Sequence, residues 1–178
     1  MERQKGKMHI LLTGEIQVGK STIIQRFLSQ SGLAADGFLT YWDEDDGGGK
    51  SLFLSPYAAD LHNVERRLIT KGGGYGRFHA DALKNVFDEY GCEVLDKSGK
   101  QDIIIMDELG FLESNATKFH WAVMRHISGD VPILGVIKPA RTKFLNDIRA
   151  RKNVVIRDVT VENRDEVLKW VAEQNWKK

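Results

Sequence analysis

An apolar stretch of strand length, Met8–Thr13, runs straight into Gly14-Glu15-Ile16-Gln17-Val18-Gly19-Lys20-Ser21. Behind that loop, Ser21–Leu28 carries Ile23, Ile24, Phe27 and Leu28 at helical spacing. Strand, loop and helix in this order constrain the fold more than anything else in the chain. The loop matches G-x-x-x-x-G-K-[ST], a pattern that wraps phosphate groups with its own backbone N–H groups. Gly14 and Gly19 supply the backbone freedom and close approach that a Cβ would block. Lys20 brings a positive charge to the β- and γ-phosphates, and the Ser21 hydroxyl is placed to ligate Mg²⁺. The phosphates then sit at the positive N-terminus of the helix. The candidate nucleotide cradle is therefore the whole run Gly14, Glu15, Ile16, Gln17, Val18, Gly19, Lys20, Ser21 and Thr22.

The remaining pattern alternates strands with helices. Asp102–Asp107 and Pro132–Ile137 are continuous apolar runs, as expected of parallel strands buried on both faces, and Val154–Ile156 is a further strand. Helical spacing covers Ala80–Leu95, with Leu83, Val86, Phe87 and Tyr90 on one face and Gly91 as its weak point. It recurs over Ser114–Ser128, with Phe119, Val123 and Ile127, and over Glu162–Asn175, with Val167, Trp170 and Val171 facing inward. Gly37–Trp42 and Ser51–Ser55 read as two strands joined by Asp43–Lys50. The four acidic residues of that connection lack the alternating ligands of a Ca²⁺ loop, so it reads as a solvated turn. Asp60–Lys71 is irregular, and Gly72–Gly76 is a glycine loop without the Lys-Ser ending of a second phosphate site. Lys138–Asn153 is a basic loop with a short helix. The sum is an α/β fold: a mostly parallel sheet flanked by helices in three layers, with a β-hairpin insertion, in one domain spanning residues 1–178.

Composition narrows the function classes. The chain has 178 residues, 42% of them apolar and 29% charged, enough for a substantial core. A net charge of +1 gives no global attraction to nucleic acid or membrane surfaces, and no apolar run reaches the roughly 20 residues that span a bilayer. The charged Met1–Lys7 segment leads into a strand without an apolar signal core, and the single Cys92 fits a reducing compartment, so the expectation is a cytoplasmic monomer. Cys92 reads as a packing residue. The five histidines show no metal-ligand spacing, and Trp42, Trp121, Trp170 and Trp176 read as at least partly core.

A phosphate loop binds; hydrolysis also needs a metal anchor and a group that positions water. Asp107 and Glu108 end an apolar strand, where ligand sites form in open α/β sheets. Asp107 can meet the Mg²⁺ held by Ser21. Glu108, expected on the other face of the strand, can orient the attacking water or take its proton. Glu113, five residues on, either turns back to share that role or stands as a helix N-terminal carboxylate. Arg141, Lys143, Arg149, Arg151 and Lys152 fall where a lid would lie, so one arginine closing on the triphosphate competes with a solvated basic loop.

Five motifs in order resemble the THEP1-type nucleoside-triphosphatases, also called cancer-related NTPases. They are Gly14–Ser21, Gly37-Phe38-Leu39-Thr40, Gly76-Arg77-Phe78, Asp107-Glu108-Leu109-Gly110-Phe111-Leu112-Glu113 and Val159-Thr160-Val161-Glu162-Asn163-Arg164-Asp165. The resemblance implies a RecA-like core and slow Mg²⁺-dependent hydrolysis of nucleoside triphosphates, ATP and GTP among them. It supports Lys20, Ser21, Asp107 and a glutamate at 108 or 113 as functional, and it places Asn163 and Arg164 near the base or sugar. A helix cap with a surface arginine accounts equally well for that last pair. Two departures stand out. Glu15-Ile16-Gln17 replaces the family's small residues or proline, which puts a carboxylate near bound phosphate, and Phe111 stands where a basic residue is usual.

Three functions compete for these residues. A hydrolase uses water, positioned by Glu108 or Glu113. A small phosphotransferase needs an acceptor pocket, for which the Gly37–Ser55 hairpin and the Gly72–Arg77 loop are the candidates. A nucleotide switch needs a partner, which exposed tryptophans would favour.

Overall fold

The computed structural model describes residues 8–44, 47–58, 60–61, 63–71 and 80–176. Gly72–Gly76 and the Gly76-Arg77-Phe78 motif lie outside the described residues. The elements run β1 (His9–Thr13), α1 (Lys20–Ser31), β2 (Ala35–Glu44), β3 (Lys50–Pro56), β4 (Arg67–Lys71), α2 (Ala80–Asn85), a π-helical segment (Val86–Gly91), α3 (Cys92–Lys97) and β5 (Ile103–Leu109). They continue with α4 (Thr117–Ile127), β6 (Ile133–Ile137), α5 (Lys143–Arg149), β7 (Val154–Asp158) and α6 (Arg164–Ala172).

The described strands form one sheet in the order β4-β3-β2-β5-β6-β1-β7. From β2 to β7 neighbouring strands are parallel; β3 and β4 extend the sheet antiparallel beyond β2, which is the expected hairpin insertion. The apolar runs are continuous because each strand is covered on both faces. Ile10, Leu12, Ile103, Ile105, Leu134 and Val136 pack towards α1 and α6. Leu11, Ile104, Met106, Ile133 and Ile137 pack on the opposite side with Phe87, Phe119 and Leu145. The three layers are therefore two cores separated by the sheet.

Several local expectations are revised. The segment without regular pattern contains β4: Arg67-Leu68-Ile69-Thr70-Lys71 pairs antiparallel with β3, burying only Ile69. A short, polar edge strand carries little periodicity of its own. Gly91 does not stop its helix, which continues through the π-helical segment to Lys97, beyond the expected end. A Cβ on Gly91 would stand 2.9 Å from the Phe119 ring, so this glycine permits close approach of the helix to α4. Asp88, in the same segment, accepts a hydrogen bond from the Phe119 N–H at 3.0 Å and so satisfies a donor in the first turn of α4. Trp42 and Trp121 are surface residues, 57% and 74% exposed, while Trp176 is buried against Phe27. Burial pushes the Cys92 thiol up to about 11, in keeping with a packing role. His9 is fully buried; it accepts from the Ile133 N–H at Nδ1 and donates from Nε2 to Ile127 O.

Candidate nucleotide-binding site

The loop between β1 and α1 takes its shape from backbone constraints. Gly14 has φ +132°, and a Cβ there would lie 2.3 Å from the Val159 carbonyl oxygen. Gly19 has φ +105° and stands at the N-terminus of α1. Val18 is buried and anchors the loop, whereas Glu15, Ile16 and Gln17 are exposed, so the Glu15 side chain faces solvent. Lys20 Nζ donates to the carbonyls of Gly14 and Glu15 across the loop. Burial lowers its pKa, and the nearby Glu108 and Asp107 carboxylates oppose that shift.

The β5 strand delivers the acidic pair. Asp107 is buried, and desolvation raises its pKa to about 6 although a hydrogen bond with Ser21 and the charge of Lys20 pull it down. Ser21 and Asp107 are therefore neighbours, an all-oxygen pair suited to a hard divalent cation shared with phosphate. Glu108 is partly exposed and pairs with Lys138 Nζ at 2.9 Å. Its backbone N–H donates to Thr40 Oγ1 at 3.2 Å. Both carboxylates act on Lys20, where strict strand alternation would separate them. The pairing of β5 with β6 shifts register between Met106 and Leu109, so the alternation is not kept there.

Glu113 differs from Glu108. It is 2% exposed, and one of its carboxylate oxygens accepts from the Gly110 N–H. Burial pushes its pKa up to about 7, with the neighbouring Glu108 adding to the rise. It lines the same cavity but is tied to the turn after β5. His120 reaches the Glu113 carbonyl oxygen at 2.7 Å through Nε2 and stacks on Phe144, which fixes that turn against α4 and α5.

Lys138 is the residue that sequence reasoning missed. It follows β6 as Asp107 and Glu108 close β5, and that parallel was the available signal. Its ammonium sits 5.3 Å from the centroid of the Phe111 ring, so this aromatic residue supports a cation from the end of the neighbouring strand. The proposed lid arginines behave differently. Arg149 donates to Lys138 O, and to Ala140 O at 3.0 Å, and thereby holds the backbone of the Lys138 turn. Lys143 pairs with Asp147 on the surface, and Arg141, Arg151 and Lys152 are exposed and do not line the cavity.

On the other side of the loop, the C-terminal motif packs directly on Gly14. Val159 N–H donates to Thr13 O at 2.8 Å. Asn163 Oδ1 accepts from Thr160 N–H at 2.8 Å, and its Nδ2 donates to Asp158 O at 3.1 Å. Its amide braces the β7–α6 turn and makes no capping bond to the helix that follows. Arg164 is exposed, and its Cδ lies 3.7 Å from where a Gly19 Cβ would be. It lines a cavity of about 250 Å³ with Thr22, Ile23 and Arg26. The larger cavity, about 760 Å³, contains the phosphate loop, Glu108, Glu113 and Lys138.

The parallel sheet with a phosphate-wrapping loop after its β1 strand defines a P-loop nucleotide-binding protein. A family model described as NTPase matches residues 9–172, and the chain belongs to that family. It is 31% identical to the "cancer-related nucleoside-triphosphatase homolog" of Bos taurus, with 90% of this chain and 92% of that protein aligned. It is 28% identical to "nucleoside-triphosphatase THEP1" of Thermotoga sp. strain RQ2, over 90% and 91% of the two chains. The crystal structure of THEP1 from Aquifex aeolicus superposes with a TM-score of 0.68 over 94% of this chain and all of that one, at 21% identity, and so shares the fold.

Proposed function

We propose that the protein is a Mg²⁺-dependent nucleoside-triphosphatase. It hydrolyses ATP, GTP and other nucleoside triphosphates to the diphosphate and phosphate, as a single-domain cytoplasmic monomer. The names of its relatives support the reaction. No helix among the described residues is long and apolar enough to cross a membrane. The observation that carries the reading is that Glu108, paired with Lys138 at 2.9 Å, lies within electrostatic reach of the phosphate-loop Lys20.

In this mechanism the loop amides of Gly14–Ser21 and the Lys20 ammonium hold the β- and γ-phosphates. Ser21 and Asp107 would hold the Mg²⁺, which when bound neutralises charge on the β- and γ-oxygens. Glu108 orients the attacking water and accepts its proton. Lys138 stabilises charge that develops on the γ-phosphoryl oxygens, and drawing it towards phosphate frees Glu108 for the proton. Glu113 holds the turn after β5 through Gly110, and Arg164 flanks the sugar.

The test is phosphate release from ATP and GTP with Mg²⁺ and no added acceptor. Lys20→Ala is expected to abolish release and weaken binding. Glu108→Gln is expected to retain binding and lose at least ~100-fold in kcat. Full turnover in Glu108→Gln and in Glu113→Gln alike would end the assignment of a glutamate base.

A further inference from the structure

The larger cavity extends well past the place where hydrolysis needs only a water. Its volume of about 760 Å³ takes in the phosphate loop and a set of apolar side chains besides. Its charged lining includes Lys20, Glu108 and Lys138, with Lys138 Nζ 2.9 Å from Glu108, and in the reading above these groups flank the γ-phosphate. The reading above assigns the sugar to the Arg164 side of the loop, where a separate cavity of about 250 Å³ lies. Trp42, Leu52, Ile69, Phe87, Phe111 and Leu112 also line the larger cavity, together with Thr40 and Thr70. Trp42 and Phe111 are 57% and 43% exposed. Phe87 belongs to the π-helical segment, a distortion frequently found at functional sites. A water-handling site has no use for six apolar side chains. This apolar wall adjoins the charged groups: Thr40 Oγ1 accepts from the Glu108 N–H at 3.2 Å and the Phe111 ring centroid lies 5.3 Å from Lys138 Nζ, so the hydroxyl of a molecule bound there can approach Glu108.

We propose that this apolar wall binds a second small molecule, an alcohol with an aromatic or alicyclic body, and that its hydroxyl accepts the γ-phosphoryl group. The inference rests on the nucleotide-site reading above, in which Glu108 removes a proton from the nucleophile. The hydroxyl oxygen forms a bond to the γ-phosphorus as the bond to the β,γ-bridging oxygen breaks. The nucleoside diphosphate leaves with the bonding pair, and the hydroxyl proton passes to Glu108 and then to solvent. Overall, alcohol and nucleoside triphosphate give a phosphate monoester, the diphosphate and a proton. Water takes the same position when no alcohol is bound, so hydrolysis and transfer share one base.

The experiment follows MgATP turnover by phosphorus NMR with 2-phenylethanol, cyclohexylmethanol or 2-(indol-3-yl)ethanol at millimolar concentration. Phosphate monoester is expected with at least one of the three, with saturable dependence on the alcohol. Thr70→Trp, which fills the cavity, is expected to cut ester formation at least about tenfold and leave phosphate release within about twofold. Trp42→Ala removes an exposed wall instead and is expected to raise the alcohol concentration at half-saturation. Ester formed without phosphate release in the absence of alcohol would support this proposal and overturn the hydrolase reading. Phosphate release that depends on Lys20, with no ester from any of the three alcohols, overturns the proposal and leaves the hydrolase reading standing. So does a Thr70→Trp variant with a raised KM for ATP and an unchanged ester-to-phosphate ratio, because the base would then occupy the cavity.

Discussion

Replacing Glu113 with Gln should make the protein more stable at alkaline pH and leave the acid side comparatively unchanged. The carboxylate is 2% exposed, and burial lifts its pKa from 4.5 to about 7. Between those two values the folded protein binds more protons than the unfolded chain, so stability falls as pH rises across the window. Below pH 4.5 both states carry the proton and Glu113 adds no slope. Above pH 7 the full cost is present. At about 1.4 kcal/mol per unit, a rise of about 2.5 units corresponds to about 3 kcal/mol. Gln keeps an oxygen for the Gly110 N–H but has no proton to lose. The stability difference between variant and wild type should therefore grow by about 3 kcal/mol from pH 4.5 to pH 8, whatever constant offset the amide group introduces. For a chain of this length that is roughly 6–12 °C in Tm. Asp107, raised to about 6 by burial, gives both proteins the same additional slope, which cancels in the comparison. Thermal unfolding followed by circular dichroism at intervals across this range measures the difference directly. Parallel Tm curves for the two proteins would refute the reasoning, since they would mean that Glu113 titrates alike in the folded and unfolded states.

Three further outcomes follow from the site. Lys138→Met removes the ammonium that pairs with Glu108 at 2.9 Å, and steady-state assays should show kcat lowered by about 10- to 100-fold; an unchanged kcat would exclude it from charge stabilisation. Thr40→Val deletes the acceptor for the Glu108 N–H and should lower kcat several-fold with KM for ATP little changed, because it acts through the placement of Glu108; a pure KM effect would argue against that role. Gly14→Ala meets the Val159 carbonyl at 2.3 Å and requires an unfavourable φ, so calorimetry should show a loss of at least about 1–3 kcal/mol together with lost nucleotide binding; wild-type melting would show that the β7–α6 turn yields easily.

Local chemistry along the chain determines much of this protein. The βα unit around Gly14–Ser21, the buried strand ending in Asp107 and Glu108, and the amphipathic faces of α1, α4 and α6 depend on short-range periodicity and backbone preference, which a linear chain displays directly. The tertiary structure decided what depends on neighbours distant in sequence. The strand β4 exists because β3 lies beside it, and its own five residues carry too little pattern to announce it. Lys138 became part of the site only when β6 took its place between β5 and β1, bringing its ammonium to Glu108. Arg149 was drawn instead to the backbone of the Lys138 turn, and the Asn163 amide to the turn before α6. The distinction between Glu108 and Glu113 is likewise one of environment. The same functional group sits partly in solvent, paired with Lys138, in one case, and sealed beneath a turn in the other. Residue type and spacing state which groups a chain possesses; desolvation and proximity, which assign each group its task, arise only when the strands assemble.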